Sequence, residues 1–267
     1  MAARVLQVSD LHLGSRPPTV PSAAIEALIE RAKPELLVVS GDLAHRGRYE
    51  QIGRAAAFLR GFGLPVLAVP GNHDLPYTFP GRFLRPWRSF ERVWETTEPV
   101  YRSENLLVIG LNSARPWRHQ SGGLPRESLE RATSMLAEAP PEVFRLVVFH
   151  HHLVNAPWRS RKRPLSHRGR VLRAFAAAGA DVIAGGHIHQ ASVSALHDFE
   201  VDADSSSLVV ATTPGLGRPR PRRRGETQGL QLYSLDKNAI TIDTFVVAQG
   251  KLQPVGARRF PRTLASD

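Results

Sequence analysis

The sequence predicts a mixed α/β fold built on two sheets, and three observations carry that prediction. Apolar, β-branched runs of strand length recur at residues 5–8, 36–39, 66–69, 146–149 and 182–184, as expected of strands buried on both faces in a parallel arrangement. Segments with helical spacing lie between them. Further apolar runs at 106–111, 208–212, 230–235 and 240–247 have no long helix between the last three, which predicts antiparallel pairing there.

In chain order, the strand at 5–8 is followed by Ile25, Leu28 and Ile29, a helix face that ends ahead of Pro34. The strand at 36–39 leads to a helix across 52–59, closed by Gly61, and then to the strand at 66–69. Leu129, Met135 and Leu136 share a second-half helix face that reads as core. Val171, Leu172 and Phe175, between Ser166 and Gly179, mark a helix ahead of the strand at 182–184. Residues 115–123 and 213–226, rich in Gly, Pro and Arg, read as loops. With no internal repeat and no clear linker, residues 1–267 are expected to form one domain, loosely held after Gly256.

Composition narrows the chemistry. A chain of 267 residues with 42% hydrophobic and 22% charged residues can bury a continuous core and is neither fibrous nor low in complexity. With no cysteine, disulfides, thiolate metal sites, iron–sulfur clusters and cysteine nucleophiles are excluded. Any metal must be held by nitrogen and oxygen. The opening apolar run is broken by Asp10 and His12 and fits neither a secretory signal nor a membrane span, so a cytoplasmic location is expected. The net charge of +11, carried almost wholly by arginine, attracts polyanions such as nucleotides, nucleic acid or anionic lipid, unless it reflects only codon bias. Charge concentrates at residues 159–163 and at Arg218, Arg220, Arg222, Arg223 and Arg224. The second cluster, interleaved with proline, suits either a solvated loop or a clamp on phosphate. Trp117 and Trp158 read as packing or lid residues, with base stacking as the other reading.

Polar clusters at the ends of the five parallel runs named first point to a function. Asp10 and His12 come after the first run, Asp42 after the second, and Asn72, His73 and Asp74 after the third. His150, His151 and His152 end the fourth, and His187 and His189 the fifth. Ligands of α/β sheets bind beyond the carboxyl ends of the strands, so these clusters are expected to converge on one rim. Residues two apart in extended chain point the same way, which would aim Asp10 with His12 and His187 with His189. Glycines ahead of Asp42, Asn72 and His187 permit tight turns. Two carboxylates, an amide oxygen and four imidazoles exceed one tetrahedral ion, so two divalent metals are expected, with a net positive site suited to phosphate.

These blocks, SDLHLG, GDLAHRG, PGNHD, a strand-end His and GGHIH, resemble the calcineurin-like metallophosphoesterase family in content and order. Within it they are similar to the branch of bacterial class III cyclic-nucleotide phosphodiesterases and glycerophosphodiesterases. The resemblance implies a sandwich of two mixed β-sheets flanked by helices, a four-layer α/β/β/α arrangement. It implies a first metal on Asp10, His12, Asp42 and His189, and a second on Asp42, Asn72, His150 and His187, with a bridging hydroxide attacking in line. His73 would stabilise the transition state or protonate the leaving alkoxide, and Asp74 would orient its imidazole. Asn112 and Ser113 would brace the site. His45 stands where many relatives carry an acidic or amide residue, and either supports the metal loop or points outward beside Arg46, the second being preferred. His150 is the expected ligand of its triplet, leaving His151 and His152 unassigned.

The function expected is a binuclear phosphohydrolase, a phosphodiesterase acting on a phosphodiester or nucleotide-like substrate, with Mn, Fe, Zn or Co as the metals. The alternatives are a metal-dependent nuclease, suggested by the net charge and marked by steep salt dependence, a UDP-diacylglucosamine-type pyrophosphohydrolase, and a non-catalytic scaffold with the same fold.

Overall fold

The computed structural model describes residues 3–14, 22–158, 160, 162–198, 207–217 and 225–262. The first half runs β1 (Ala3–Val8), α1 (Ser22–Ala32), β2 (Leu36–Val39), α2 (Tyr49–Arg60), β3 (Val66–Ala68), α3 (Gly81–Leu84), α4 (Arg88–Trp94), β4 (Val100–Arg102) and β5 (Leu106–Gly110). The second runs α5 (Arg126–Ala137), β6 (Phe144–Val148), α6 (Arg168–Ala177), β7 (Val182–Gly185), β8 (Ser192–Ala195), β9 (Val209–Thr212), β10 (Gly229–Leu235), β11 (Ala239–Ala248) and β12 (Lys251–Pro261).

The strands form two mixed six-stranded sheets, ordered β12-β11-β10-β1-β2-β3 and β4-β5-β6-β7-β9-β8. In the first, β1, β2 and β3 are parallel and the β10–β12 meander is antiparallel. In the second, β5, β6, β7 and β9 are parallel, with β4 and β8 antiparallel at the edges. Alternation explains why the central strands are apolar throughout. Val5, Val38 and Leu67 face Val108, Leu146, Val148 and Val182 of the other sheet. Their neighbours Leu6, Val8, Leu37 and Val39 face Ile25 and Leu28 of α1 and Ile52 and Leu59 of α2. Ile109, Val147 and Ile183 likewise meet Leu129 and Leu136 of α5 and Val171 and Phe175 of α6, with Met135 packed against that cluster. The layers are helix, sheet, sheet, helix. Among the described residues, no helix is long and apolar enough to cross a membrane.

Three expectations need correction. The 208–212 run does not join the antiparallel meander, because β9 lies in the second sheet parallel to β7. The intervening β8, Ser-Val-Ser-Ala, is half-buried at the edge, too polar and short to announce itself, and it reverses the chain so that β9 returns beside β7. The expected loose tail does not begin after Gly256, since β12 pairs with β11 as far as Pro261, and residues 263–267 lie outside the described residues. Finally, α3 and α4 occupy a stretch in which no helix was expected.

Arg262 fastens that last strand. Its guanidinium donates to Asp181 Oδ1 at 2.8 Å and Oδ2 at 3.1 Å, and to the carbonyls of Pro141, Glu142 and Val143. Both partners are buried. Removing one member of a buried pair strands the other, so Arg262→Ala should lose about 3–5 kcal/mol of unfolding free energy in urea titration. A loss under about 1 kcal/mol, the range of a surface pair, would contradict this assignment.

Candidate metal centre

The carboxyl ends of β1, β2, β3, β6 and β7 meet along one edge of the sandwich. Backbone hydrogen bonds join the loops that leave them: Asp10 N–H to Gly41 O and His12 N–H to Asp42 O, both at 2.9 Å. Gly71 and Gly186 sit where any side chain would collide, the first with the Asp42 carboxylate and the second with Ser9. Close backbone approach at those two points lets the loops interlock.

The paired donors converge by a different geometry from the one expected. Asp10, His12, His187 and His189 are not extended but left-handed, with φ of 53°, 47°, 73° and 57°, and Asp42 joins them at 53°. Asp and His tolerate this region better than branched residues, yet such backbone costs about 1–3 kcal/mol per residue and persists where surrounding structure imposes it.

The outcome is two groups of donor atoms. In one, Asp10 Oδ1 lies 3.1 Å from His189 Nε2 and 3.7 Å from His12 Nε2, and the two imidazole nitrogens are 3.1 Å apart. In the other, His150 Nε2 lies 3.1 Å from Asn72 Oδ1 and 3.0 Å from His187 Nδ1. Asp42 Oδ2 stands between them, 3.6 Å from His12 Nε2 and 3.4 Å from His150 Nε2. The structure therefore brings Asp10, His12, Asp42, Asn72, His150, His187 and His189 together.

The donor set fits divalent cations on an independent ground. The outer carboxylate oxygens are satisfied: Asp10 Oδ2 accepts from the Ser9 hydroxyl at 2.6 Å and His187 N–H at 2.9 Å, and Asp42 Oδ1 from His73 N–H at 2.8 Å. The inward oxygens, Asp10 Oδ1 and Asp42 Oδ2, are buried and accept no hydrogen bond. Burying a charged oxygen this way demands a cation. The imidazoles are prepared for one. Because a carbonyl only accepts, Ser40 O at 2.8 Å fixes a proton on His150 Nδ1, and Gln120 O at 3.1 Å fixes one on His187 Nε2. The opposite nitrogens are left facing inward as lone pairs.

Electrostatics follow from the same packing. Burial opposes ionisation of both aspartates, yet His189 and His12 around Asp10, and His150 and His73 around Asp42, hold both carboxyls well below the usual range. Burial lowers His12 to about 4 and, with Lys162, holds His187 well below the ordinary histidine range. Burial also disfavours the charged form of His150, but Asp42, Asp10 and the Ser40 carbonyl outweigh it and lift His150 to about 9, so without a cation a second proton sits on its inward Nε2, and a bound cation would displace it to gain the lone pair.

The remaining residues divide. His73 sits at the mouth, its ring edge-on to His12 at 4.8 Å, with Nδ1 donating to His45 O at 3.1 Å. Asp74 does not orient that ring. Its carboxylate accepts three backbone N–H groups, from Ala44 at 2.7 Å, Gly71 at 2.8 Å and Leu43 at 3.2 Å, and so ties the Asp42 loop to the Asn72 loop. Burial and the nearby Asp42 push Asp74 up to about 7 against those donors. His45 is exposed but does not turn away, because its ring stacks on His73 at 5.8 Å. Ser113 hydrogen-bonds His151 Nδ1 at 2.8 Å beside His150, while Asn112 closes its own turn onto Ala114 N–H. His151 and His152 are buried behind His187, with ring centroids 4.7 and 5.6 Å from it. Trp117 and Trp158 are exposed. Of the 159–163 cluster, Arg159 and Arg161 lie outside the described residues, as does the whole 218–224 run.

Sequence reasoning missed several participants. His119 stands edge-on to His73 at 5.5 Å, and its Nδ1 lies 3.4 Å from Asn72 Nδ2. Lys162, inside the charged 159–163 run that the sequence had singled out, donates to the His187 carbonyl. Gln7 bridges the sheets beneath the centre, donating to Ser40 Oγ at 2.8 Å and Gly185 O at 3.0 Å. The glutamine inside an apolar strand and the charged run around Lys162 were the visible signals among these.

If Asp42 Oδ2 serves two ions, Asp42→Ala should lower bound metal below one ion per chain, whereas His189→Ala should spare about one. Metal analysis of dialysed protein measures this, and full loading of Asp42→Ala would refute the shared position. Affinity should also fall as pH is lowered, because protons compete for the imidazole lone pairs.

Known proteins place this geometry. Residues 3–191 match the family described as calcineurin-like phosphoesterase. A Synechococcus protein named as a probable cyclic nucleotide phosphodiesterase is 29% identical over 166 residues, covering 57% of this chain and 58% of that one. The 3′,5′-cyclic adenosine monophosphate phosphodiesterase of Haemophilus influenzae is 27% identical over 183 residues, 66% of this chain and 62% of that one. The matched region thus spans less than two thirds of either relative. In fold, the chain is similar to a dimetal phosphatase of Danio rerio, with a TM-score of 0.68 at 14% identity over 98% of this chain and 99% of the other. Since the matched stretch runs from β1 past the last of the converging imidazoles, this chain belongs to the calcineurin-like phosphoesterase family.

Proposed function

We propose that the protein is a phosphodiesterase that works with two divalent cations on a small, nucleotide-like phosphodiester. Asp10, His12, Asp42 and His189 would hold one cation, and Asp42, Asn72, His150 and His187 the other. The observation that carries this reading is the pair of buried, unsatisfied carboxylate oxygens at the centre of the two donor groups. Bound there, such ions would supply Lewis acidity to a phosphoryl oxygen and acidify the attacking water. The preference for a diester is supported by the names of the two relatives, each matched over about half to two thirds of this chain.

The chain's own groups divide the remaining work. His73 flanks the first donor group from the solvent side, and the His45 carbonyl fixes its Nδ1 proton, so Nε2 is presented to the leaving oxygen. His119 and His45 flank that ring and hold its plane. Asp74 acts at one remove, by keeping the loops of Asp42 and Asn72 in register.

With Mn²⁺ the purified protein should hydrolyse bis-p-nitrophenyl phosphate, and His73→Ala should lower kcat by about 10²–10⁴-fold while retaining its metal. Undiminished turnover would remove His73 from the chemistry. The Asp74 assignment has its own test: Asp74→Ala should raise the metal concentration needed for activity. A fall in kcat at unchanged metal affinity would instead restore an imidazole-orienting role.

A further inference from the structure

A second surface lies beside the centre, on the segment that continues from the Asn72–Asp74 loop through α3 and α4. Nine large hydrophobic side chains are exposed among the described residues, and four of them fall here: Tyr77, Phe79, Phe83 and Leu84. Phe79 is 80% exposed and Leu84 73%, so the tip is apolar outward, whereas Phe90 in the same segment is buried. Contiguous exposure of this kind marks an interaction surface more than scattered residues do. The tip is held in place, since the Arg82 guanidinium donates to Pro116 O at 2.9 Å and Pro76 O at 3.2 Å.

Next to the tip is an open groove of about 450 Å³ lined by Arg85, Pro86, Trp87, Arg88, Glu91 and Arg92. Arg85 and Arg88 are exposed and form no ion pair among the described residues. Arg85 and Arg88 flank Trp87 in this lining, with Arg92 stacked over Tyr49 at 4.4 Å beside them, and exposed guanidiniums of this kind suit phosphate groups at an interface. They adjoin side chains that only an apolar phase would satisfy.

We infer that this segment docks the protein on an anionic lipid bilayer. Phe79, Phe83 and Leu84 enter the boundary between headgroups and acyl chains, while Arg85, Arg88 and Arg92 engage lipid phosphates around Trp87. A nucleic acid would meet the guanidiniums but leave Phe83 and Leu84 without partners, so the combination favours lipid. The +11 net charge adds long-range attraction to the same surface. Docking in this orientation also positions the centre: Tyr77, in the same segment, lies 6.1 Å from the His73 ring and 6.5 Å from His119. The mouth of the centre is then held beside the headgroup layer. Such docking is separate from the proposed activity and is measured without turnover.

Flotation with vesicles of phosphatidylcholine alone, or of phosphatidylcholine mixed with phosphatidylglycerol, reads the binding. The intact chain should bind the mixed vesicles at least about tenfold better than the neutral ones, and less well as salt is raised. A Phe79→Ser/Phe83→Ser/Leu84→Ser variant should lose most vesicle binding, and Arg85→Glu/Arg88→Glu should lose the preference for anionic lipid, with thermal melting unchanged in both. Absence of vesicle binding, or binding by both variants equal to that of the intact chain, would overturn the inference. So would a change from dimer to monomer in the apolar variant, which would assign the surface to a second copy of the chain.

Discussion

Two buried carboxylates with one oxygen each left unanswered set the terms for the rest of this molecule. Asp10 Oδ1 and Asp42 Oδ2 lie in an interior where an uncompensated charge costs several kcal/mol. Every other feature of the region serves to aim positive charge at them or to hold them still. Ser9 and two backbone amides occupy the outer oxygens, so the carboxylates cannot rotate to find other donors. Carbonyls behind His150 and His187 choose the tautomers that leave lone pairs inward. Five left-handed residues carry the chain through turns that extended backbone cannot make.

That arrangement explains the division of labour in the fold. A sandwich whose central strands are apolar on both faces gains enough burial to tolerate strained backbone at one edge. The five left-handed residues of the centre sit at strand ends, where five loops from two sheets meet, and are cross-braced by Asp74 and by Gln7. His73 differs from the groups behind it. It stands partly exposed at the mouth, and it is held by a backbone carbonyl that no substitution at position 45 deletes.

Much of this was legible in the sequence, for a physical reason. Strands such as those at 36–39 and 182–184 stand out because both faces are covered, and the polar clusters stand out because each interrupts such a run at its carboxyl end. The rest depends on contacts distant in sequence. β8 and β12 carry polar, glycine or proline residues on exposed edges, so nothing local distinguishes them from loop. Spacing two apart suggested extended pairs, whereas the real turns are left-handed, a conformation that spacing does not encode. Asp74 is next to His73 in sequence, yet its carboxylate faces the other way, toward amides contributed by residues 43, 44 and 71. His119 arrives from a loop with no motif of its own and Lys162 from a charged run, and only the folded chain brings them to the centre.

The proposed centre turns on whether one oxygen of Asp42 would be shared by two cations. A crystal of the manganese-loaded protein, measured at wavelengths on either side of the manganese absorption edge, would locate both ions. Two anomalous peaks are expected, roughly 3.5–4 Å apart, one beside His12 and His189 and the other beside Asn72, His150 and His187, with Asp42 Oδ2 between them. A lone peak, or a pair too far apart for that oxygen to reach both, would contradict the shared position.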